Sequence, residues 1–260
     1  MNNTVILRVN GQEWGGWTSV RIAAGIERIA RDFTVEITRS WPGDTDQANR
    51  SNRIKNGDLV EVLIGTDKVL TGYVEATPVR YDARSISVGI SGRSKTADLI
   101  DCSATPSQYA GRSLAQVAAE LAKPFSITVV DAGGASGALQ GIQADQGETV
   151  MDVLNKMLGL QQALAYDNAQ GNLVIGGIGS QQAHTALVLG ENILSCDTEK
   201  SIRDRFSDYQ VSGQRKGNDD DFGEATTTAI RSKTIDGGLK RYRPMIIRQT
   251  GNATTATCSA

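Results

Sequence analysis

Apolar and polar residues alternate in several short segments of the first hundred residues, and this pattern constrains the fold most. In the clearest segment, Phe33, Val35 and Ile37 are separated by polar residues. A period of two places alternate side chains on opposite faces of a strand, so each segment predicts a half-buried β-strand. Turn residues separate the segments, as at 65–68, where a hairpin is predicted. Residues 1–100 are therefore predicted to form a β domain, either a small barrel or a sandwich.

A helical period replaces this alternation in residues 101–180. Two helices are predicted, and each begins with a capping box, in which the side chain three residues after the cap bonds back to it. The boxes are Ser113 with Gln116 and Thr149 with Asp152. Gly159 is predicted to end the second helix, and residues 167–172 are predicted as a hairpin loop. We interpret the segment as a small α/β domain whose apolar helix stripes form its core rather than a cofactor site.

Strand patterns return in residues 181–260. Three strands are predicted, around 209–213, 225–230 and 245–249, with an acidic loop at 218–223. The predicted fold class is α+β and mostly β.

The chain contains one histidine, His184, which excludes any metal site that needs two histidines from one chain. A Ser-His-Asp triad would have to use this residue. It lies in a polar stretch that predicts a surface loop. Cys102, Cys196 and Cys258 are far apart and form no CxxC motif, so reduced structural thiols are expected rather than disulfides or a zinc cluster.

Three motifs have a weak resemblance to ligand sites. Residues 89–96 resemble a phosphate-binding loop, but Ser94 stands where that loop needs glycine before the lysine. Residues 176–179 are rich in glycine without dinucleotide-binding spacing. Asp219, Asp220, Asp221 and Glu224 lack calcium-loop spacing and predict a solvated loop. No catalytic, cofactor-binding or metal-binding residue is predicted, and no cofactor is implied.

The charge balance argues against sequence-independent nucleic-acid binding. The chain carries 27 basic and 29 acidic side chains, a formal net charge of −2, whereas a nucleic-acid binder shows a basic excess. No segment is apolar and long enough to predict membrane insertion. The N-terminus lacks the pattern of a signal peptide, so production in the cytoplasm is expected.

Three groups of short motifs, in a fixed order along the chain, carry a family resemblance. No single motif has a catalytic pattern, and it is the ordered set that is specific. The motifs are Gly72–Val74 and Ser91–Cys102, then Leu114–Ala118, Pro124–Ile127, Gly147–Val150 and Gly171–Ile175, then Gly190–Leu194, Asp204–Tyr209, Gly213–Gln214 and Arg241–Pro244. In this order, from about residue 4 to 249, the chain resembles baseplate hub proteins of Mu-type contractile-tailed phages, in the late-control-D-like tail protein family.

The resemblance implies a non-enzymatic structural protein. Such hubs form a homotrimeric ring between the tail tube and the central spike, contact other baseplate proteins and let DNA pass without binding it specifically. It further implies assembly in the host cytoplasm and a final location in the tail baseplate of a virion. Residues 1–100 would form a first tube-type, β-barrel-like domain, residues 101–180 an inserted α/β domain and residues 181–260 a second tube-type domain.

Hub proteins of this family continue past the Arg241–Pro244 region, whereas this chain ends at Ala260. The second tube-type domain is therefore expected to be incomplete, as in a truncated prophage product or a fragment, with an exposed strand edge. One alternative is the hub of a phage-related injection or secretion machine. A less favoured one is a tail-associated cell-wall hydrolase, because no separate enzyme module fits between the matched motifs.

Overall fold

The chain folds into two compact units. In the computed structural model they are Met1–Gly177 and Ile178–Ala260. The described residues of the first unit include three α-helices, α1 (Ala97–Asp101), α2 (Leu114–Ala122) and α3 (Val150–Gln161), and a 3₁₀ helix (Lys123–Phe125) that follows α2. No helix in the described residues is both long and apolar enough to cross a membrane. The structure describes residues 4–38, 54–81, 86–133, 137–139, 142–177, 179, 185–193, 195–220, 222–227, 230–253 and 258.

An eight-stranded sheet forms the first part of the first unit. Its strands are β1 (Val5–Val9), β2 (Gln12–Trp14), β3 (Ser19–Ala23), β4 (Asp32–Thr38), β5 (Leu59–Ile64), β6 (Asp67–Ala76), β7 (Val79–Tyr81) and β8 (Ile86–Ser94). The strand order is β2-β1-β5-β6-β8-β4-β3, with β7 also paired to β8. All pairs are antiparallel. The mostly β prediction is confirmed, although these described strands form an open sheet and not a closed barrel.

The alternation in the sequence produces the core of this sheet. Phe33, Val35 and Ile37 are buried in β4, whereas Thr34 and Glu36 between them are partly exposed. Burying one large apolar side chain contributes about 1.5–3 kcal/mol, so a face built from several strands supplies most of the folding free energy. The buried cluster consists of Leu7, Val9, Phe33, Val35, Ile54, Val60, Val62, Leu70, Val74 and Ile90.

Two glycines allow strands β6 and β8 to approach closely. A Cβ added at Gly72 would overlap the carbonyl oxygen of Arg93, and one added at Gly92 would overlap that of Tyr73. No larger residue fits either position without moving backbone. This packing gives a physical reason for glycine in two of the motifs that carried the resemblance.

An α/β part forms the rest of the first unit, and its helices supply a second core. The strands are β9 (Ser107–Tyr109), β10 (Arg112–Ser113), β11 (Val129–Asp131), β12 (Ala138–Leu139), β13 (Ile142–Ala144), β14 (Leu164–Asp167) and β15 (Leu173–Gly176). Strand β15 pairs antiparallel with β14 and parallel with β11. The apolar stripes of α2 and α3 are buried in one cluster that also includes Leu173 and Ile175. They are core, as predicted.

Both predicted capping boxes are present. Ser113 caps α2 and Thr149 caps α3, and each side chain accepts a hydrogen bond from the backbone three residues later. The predicted end of α3 at Gly159 is wrong, because the helix continues to Gln161. Leu160 packs against the core, and Gln162 takes the left-handed conformation that ends the helix, with φ of 50°.

The described part of the second unit contains one three-stranded sheet. Its strands are β16 (Asp208–Gln214), β17 (Arg231–Ile235) and β18 (Pro244–Asn252). The central strand β16 is antiparallel to β17 and parallel to β18. The strand predicted at 225–230 is wrong for residues 225–227, and residues 228 and 229 lie outside the described residues. Residues Gly223–Thr226 form a short 3₁₀ helix, in which the hydroxyls of Thr226 and Thr227 both donate to the Gly223 carbonyl, and such local bonds compete with strand pairing.

Candidate assembly surface

Arg243 fixes the chain segment that precedes β16. Its guanidinium donates to the carbonyl oxygens of Ile202 and Arg203, both at 2.7 Å. It also lies over the ring of Phe206, 5.1 Å from the centroid, in a cation–π arrangement. The Arg243 backbone N–H donates to Ser207 Oγ at 2.8 Å. The two motifs Asp204–Tyr209 and Arg241–Pro244 are therefore two sides of one clamp.

Two ion pairs support the same sheet. Arg205 Nε donates to Asp236 Oδ2 at 2.5 Å, and Lys233 Nζ lies 2.9 Å from Asp208 Oδ1. The hydrogen bond from Arg205 lowers the pKa of the Asp236 carboxyl, and that from Lys233 lowers the pKa of Asp208. Both carboxylates are thus more strongly ionised than free aspartate, which is the behaviour of structural pairs at a surface.

A turn held by Asn192 presents two leucines to solvent. The Asn192 side chain accepts from the Val188 backbone N–H at 2.7 Å and donates to the Ala186 carbonyl at 2.8 Å. Leu187 and Leu189, on either side of Val188, are 81% and 82% exposed. The Gly190–Leu194 motif therefore includes the residue that fixes an exposed apolar turn.

Strand β18 adds further exposed apolar side chains. Ile246, the third residue of the strand, is 70% exposed, and among the described residues β18 pairs with β16 alone. Exposed apolar side chains are those that a partner molecule covers when an assembly forms, so these residues are the candidate assembly surface. We call these residues the apolar surface of the second unit: Leu187, Val188, Leu189, Ile202, Phe222, Ile235, Tyr242, Met245, Ile246 and Ile247.

The outer side of the first sheet has a different character, because its charges pair with each other. Arg8 on β1 bonds to Glu13 at 2.8 Å and to Glu61 at 3.2 Å, and Glu61 also accepts from Lys68. The hydrogen bond from Lys68 lowers the pKa of Glu61. The two basic and two acidic side chains of this group therefore cancel in net charge.

Two cavities have linings unlike those of active sites. One, of about 540 Å³, lies beside β16 and β17 and is lined by Gln210, Val211, Ser212, Thr227, Arg231, Ser232, Lys233 and Ile246. The other, of about 290 Å³, lies in the α/β part, and its one acidic residue is Glu120, which pairs with Arg112. Within the described ranges, no three His, Cys, Asp or Glu residues converge as a metal site.

The weak motifs of the sequence do not converge on a site. Residues 89–94 belong to strand β8 and form no phosphate loop. Gly176 ends β15, while Asp219, Asp220 and Glu224 are exposed. His184 and Asp221 lie outside the described residues. The cysteines are free, and burial raises the pKa of the Cys258 thiol.

Two protein families match consecutive parts of the chain. Residues 4–94 match the family described as Mu phage baseplate assembly protein GpP-like, N-terminal. Residues 96–177 match the second domain of the baseplate hub protein gp44-like family. Together they cover the described residues of the first unit except Lys95.

A relative matches nearly the full chain. The baseplate hub protein gp44 of Escherichia phage Mu is 37% identical over 258 residues, which cover 95% of this chain and 65% of the Mu protein. A 43 kDa tail protein of prophage MuSo2 from Shewanella oneidensis is 31% identical, with a TM-score of 0.80 over 98% of this chain and 74% of that one. The chain belongs to the gp44-like baseplate hub family of Mu-type phages. The families it matches are baseplate proteins and not enzymes, in agreement with the sequence prediction.

The fold of this hub family recurs in a more distant tail protein. The tail protein from Neisseria meningitidis MC58 is 24% identical and has a TM-score of 0.77, over 98% of this chain and 73% of that chain. At this identity the match shows the fold alone.

Sequence reasoning missed one buried polar contact. Asp167 was placed in the hairpin loop, but it ends β14 with its side chain 1% exposed and bonded to Arg31. Neither residue lies in a recognisable motif, and 136 positions separate them. The one sequence feature that could have indicated this contact is the position of Asp167, an acidic residue directly after an apolar segment.

Proposed function

We propose that the chain is a baseplate hub subunit that forms a homotrimeric ring between the tail tube and the central spike, through which DNA passes without specific binding. The observation that carries this proposal is the 37% identity to the Mu baseplate hub protein across 95% of this chain. The chain spans 65% of the Mu protein's length, so the proposal concerns what these residues contribute to a hub. It places the protein in the virion tail baseplate after assembly in the host cytoplasm.

Three regions would have distinct roles in such a ring. Residues 1–100 and 181–260 would be tube-type domains, the second of them incomplete, and residues 101–180 an inserted α/β domain. The boundary between the two family matches, near residue 95, and the boundary between the compact units at Gly177 support this division.

The apolar surface of the second unit is where we place the contact between copies. Its ten large apolar side chains are more than 35% exposed in the single chain. Burying such side chains against a neighbouring copy provides the free energy of association. The self-neutralised outer face of the first sheet suits a surface that meets DNA without binding it, since sequence-independent DNA affinity needs unpaired cations.

Sedimentation and electron microscopy of the purified chain test the proposal. We expect a particle of three times the 27.7 kDa chain mass, with a central hole. Ile246→Glu places a charge on the apolar surface and should yield monomers. Ile26→Glu, at a residue that is 53% exposed in the first unit, is the matched control and should leave the trimer intact. A wild-type chain that stays monomeric at high concentration would contradict the proposal.

A further inference from the structure

The first unit contains two separate hydrophobic cores that meet at a polar joint. One core lies in the sheet and the other between the helices of the α/β part. A short segment of the chain connects them. Ile29 packs into the α/β core, whereas Phe33 packs into the sheet core. Arg31 lies between these two anchors.

Arg31 uses its whole guanidinium and its backbone at this joint. Its Nε donates to Asp167 Oδ1 at 3.1 Å, and its Nη2 donates to the Asp167 carbonyl at 3.1 Å. The third nitrogen, Nη1, donates to the Val69 carbonyl on β6 at 2.8 Å. The Arg31 backbone N–H donates to Asp167 Oδ2 at 3.1 Å. The planar guanidinium can donate to all these acceptors in only one arrangement. The bonds therefore fix the orientation of Arg31 relative to Asp167 and Val69.

The hairpin loop after Asp167 continues the joint. Thr71 Oγ1 on β6 donates to the Ala169 carbonyl at 2.9 Å. Gly171 has a φ of +73°, and a Cβ added there would lie 2.6 Å from the Thr71 carbonyl oxygen. That oxygen already accepts from the Lys95 backbone N–H at 3.1 Å. The loop therefore fits against the sheet only with glycine at position 171.

We propose that Arg31, Asp167 and the Gly171 loop form a lock that holds the sheet and the α/β part in one fixed orientation. The lock fastens two parts that each have their own core. The Asp167 carboxylate is almost fully buried at the joint, so a charge there requires the Arg31 guanidinium as its partner. In a ring subunit, this fixed orientation would determine where the α/β part stands relative to the sheet.

Hydrogen exchange of the full chain, read by mass spectrometry, tests the lock. Gly171→Ala should open the joint, so peptides that cover 29–31, 69–72, 94–96 and 167–172 should exchange roughly tenfold faster or more. Peptides from α2 and α3 and from the centre of the sheet should keep their protection. Gly111→Ala is the matched control, because Gly111 has a φ of +69° with open space around it, and it should leave the joint peptides unchanged.

A second variant removes the charge and keeps the shape. Asp167→Asn should produce the same local opening, whereas Glu36→Gln, which breaks the exposed pair with Arg80, should not. Joint peptides that exchange as in wild type in both lock variants would overturn the proposal. Loss of protection throughout the first unit in both lock variants, including failure to fold, would also overturn it, because the two parts would then be one folding unit.

Discussion

The two units of the chain solve the problem of burying apolar surface differently. The described first unit has two buried clusters, of twenty and ten residues, whereas the second has one of three residues. Seven large apolar residues are exposed in the first unit and ten in the second, which is less than half as long. The first unit is therefore stabilised by its own two buried clusters. The second has apolar side chains in quantity but leaves them on its surface.

Hydrogen bonds and ion pairs contribute more to holding the second unit together than its small buried core does. The Arg243 clamp and the Arg205–Asp236 pair hold its strands and turns in place, a role that a hydrophobic core has in a larger domain. Small cores give marginal stability, and exposed apolar patches mark surfaces that another molecule covers. From this difference we infer that the second unit would reach its full stability only in the proposed ring.

A matched pair of methionine substitutions gives the largest expected effect. Met157→Ala, at a side chain fully buried between the helices of the first unit, should lower the free energy of unfolding by about 2–5 kcal/mol. Met245→Ala, at a residue that is 36% exposed on β18, should cost under about 1 kcal/mol in the monomer. Urea unfolding followed by circular dichroism measures both. Equal losses would contradict the contrast between the units.

Removing the clamp should have an intermediate, local effect. Arg243→Ala deletes the bonds to the carbonyls of Ile202 and Arg203 and should make opening of that segment easier by about 1–3 kcal/mol. Trypsin should then cut at Arg203 or Arg205 faster than in wild type. Arg241→Ala, at an exposed residue two positions earlier, is the control. An unchanged cutting rate in Arg243→Ala would show that the clamp does not hold the segment.

Acid should have the smallest effect. Because pairing lowers the pKa of the Asp208 and Asp236 carboxyls, their ionised forms favour the folded second unit above the ordinary pKa of 3.8. This contribution is lost as the pH falls below that value. The midpoint of thermal unfolding should therefore fall less steeply between pH 5 and 3 in Asp236→Asn than in wild type. Identical slopes would show that the pair contributes nothing to stability.

Local patterns predicted much of the fold. The alternation around Phe33 predicts β4, and the capping boxes at Ser113 and Thr149 predict the starts of α2 and α3, because each pattern depends on neighbours within a few residues. The end of α3 was missed because the packing of Leu160 carries the helix past Gly159. Tertiary contact overrides a weak local signal of this kind.

The lock and the apolar surface lay beyond the reach of local patterns. Arg31 and Asp167 are brought together by the packing of the hairpin loop on the sheet, which no spacing encodes. Ile246 lies in the apolar run 245–247 as a core residue would, and nothing in that run indicates that its side chain is exposed in the described structure. The strand predicted at 225–230 is wrong for residues 225–227, because threonines favour strands on average but Thr226 and Thr227 bond to the carbonyl of their own turn.

Hydrogen exchange as a function of protein concentration tests the central claim most directly. If the second unit completes its core through neighbouring copies, the protection of β16 and β18 should rise with concentration in step with the trimer mass. The protection of α3 and of the sheet in the first unit should not change. Protection of β16 and β18 that stays constant over the whole concentration range, in a chain that remains monomeric, would contradict the account.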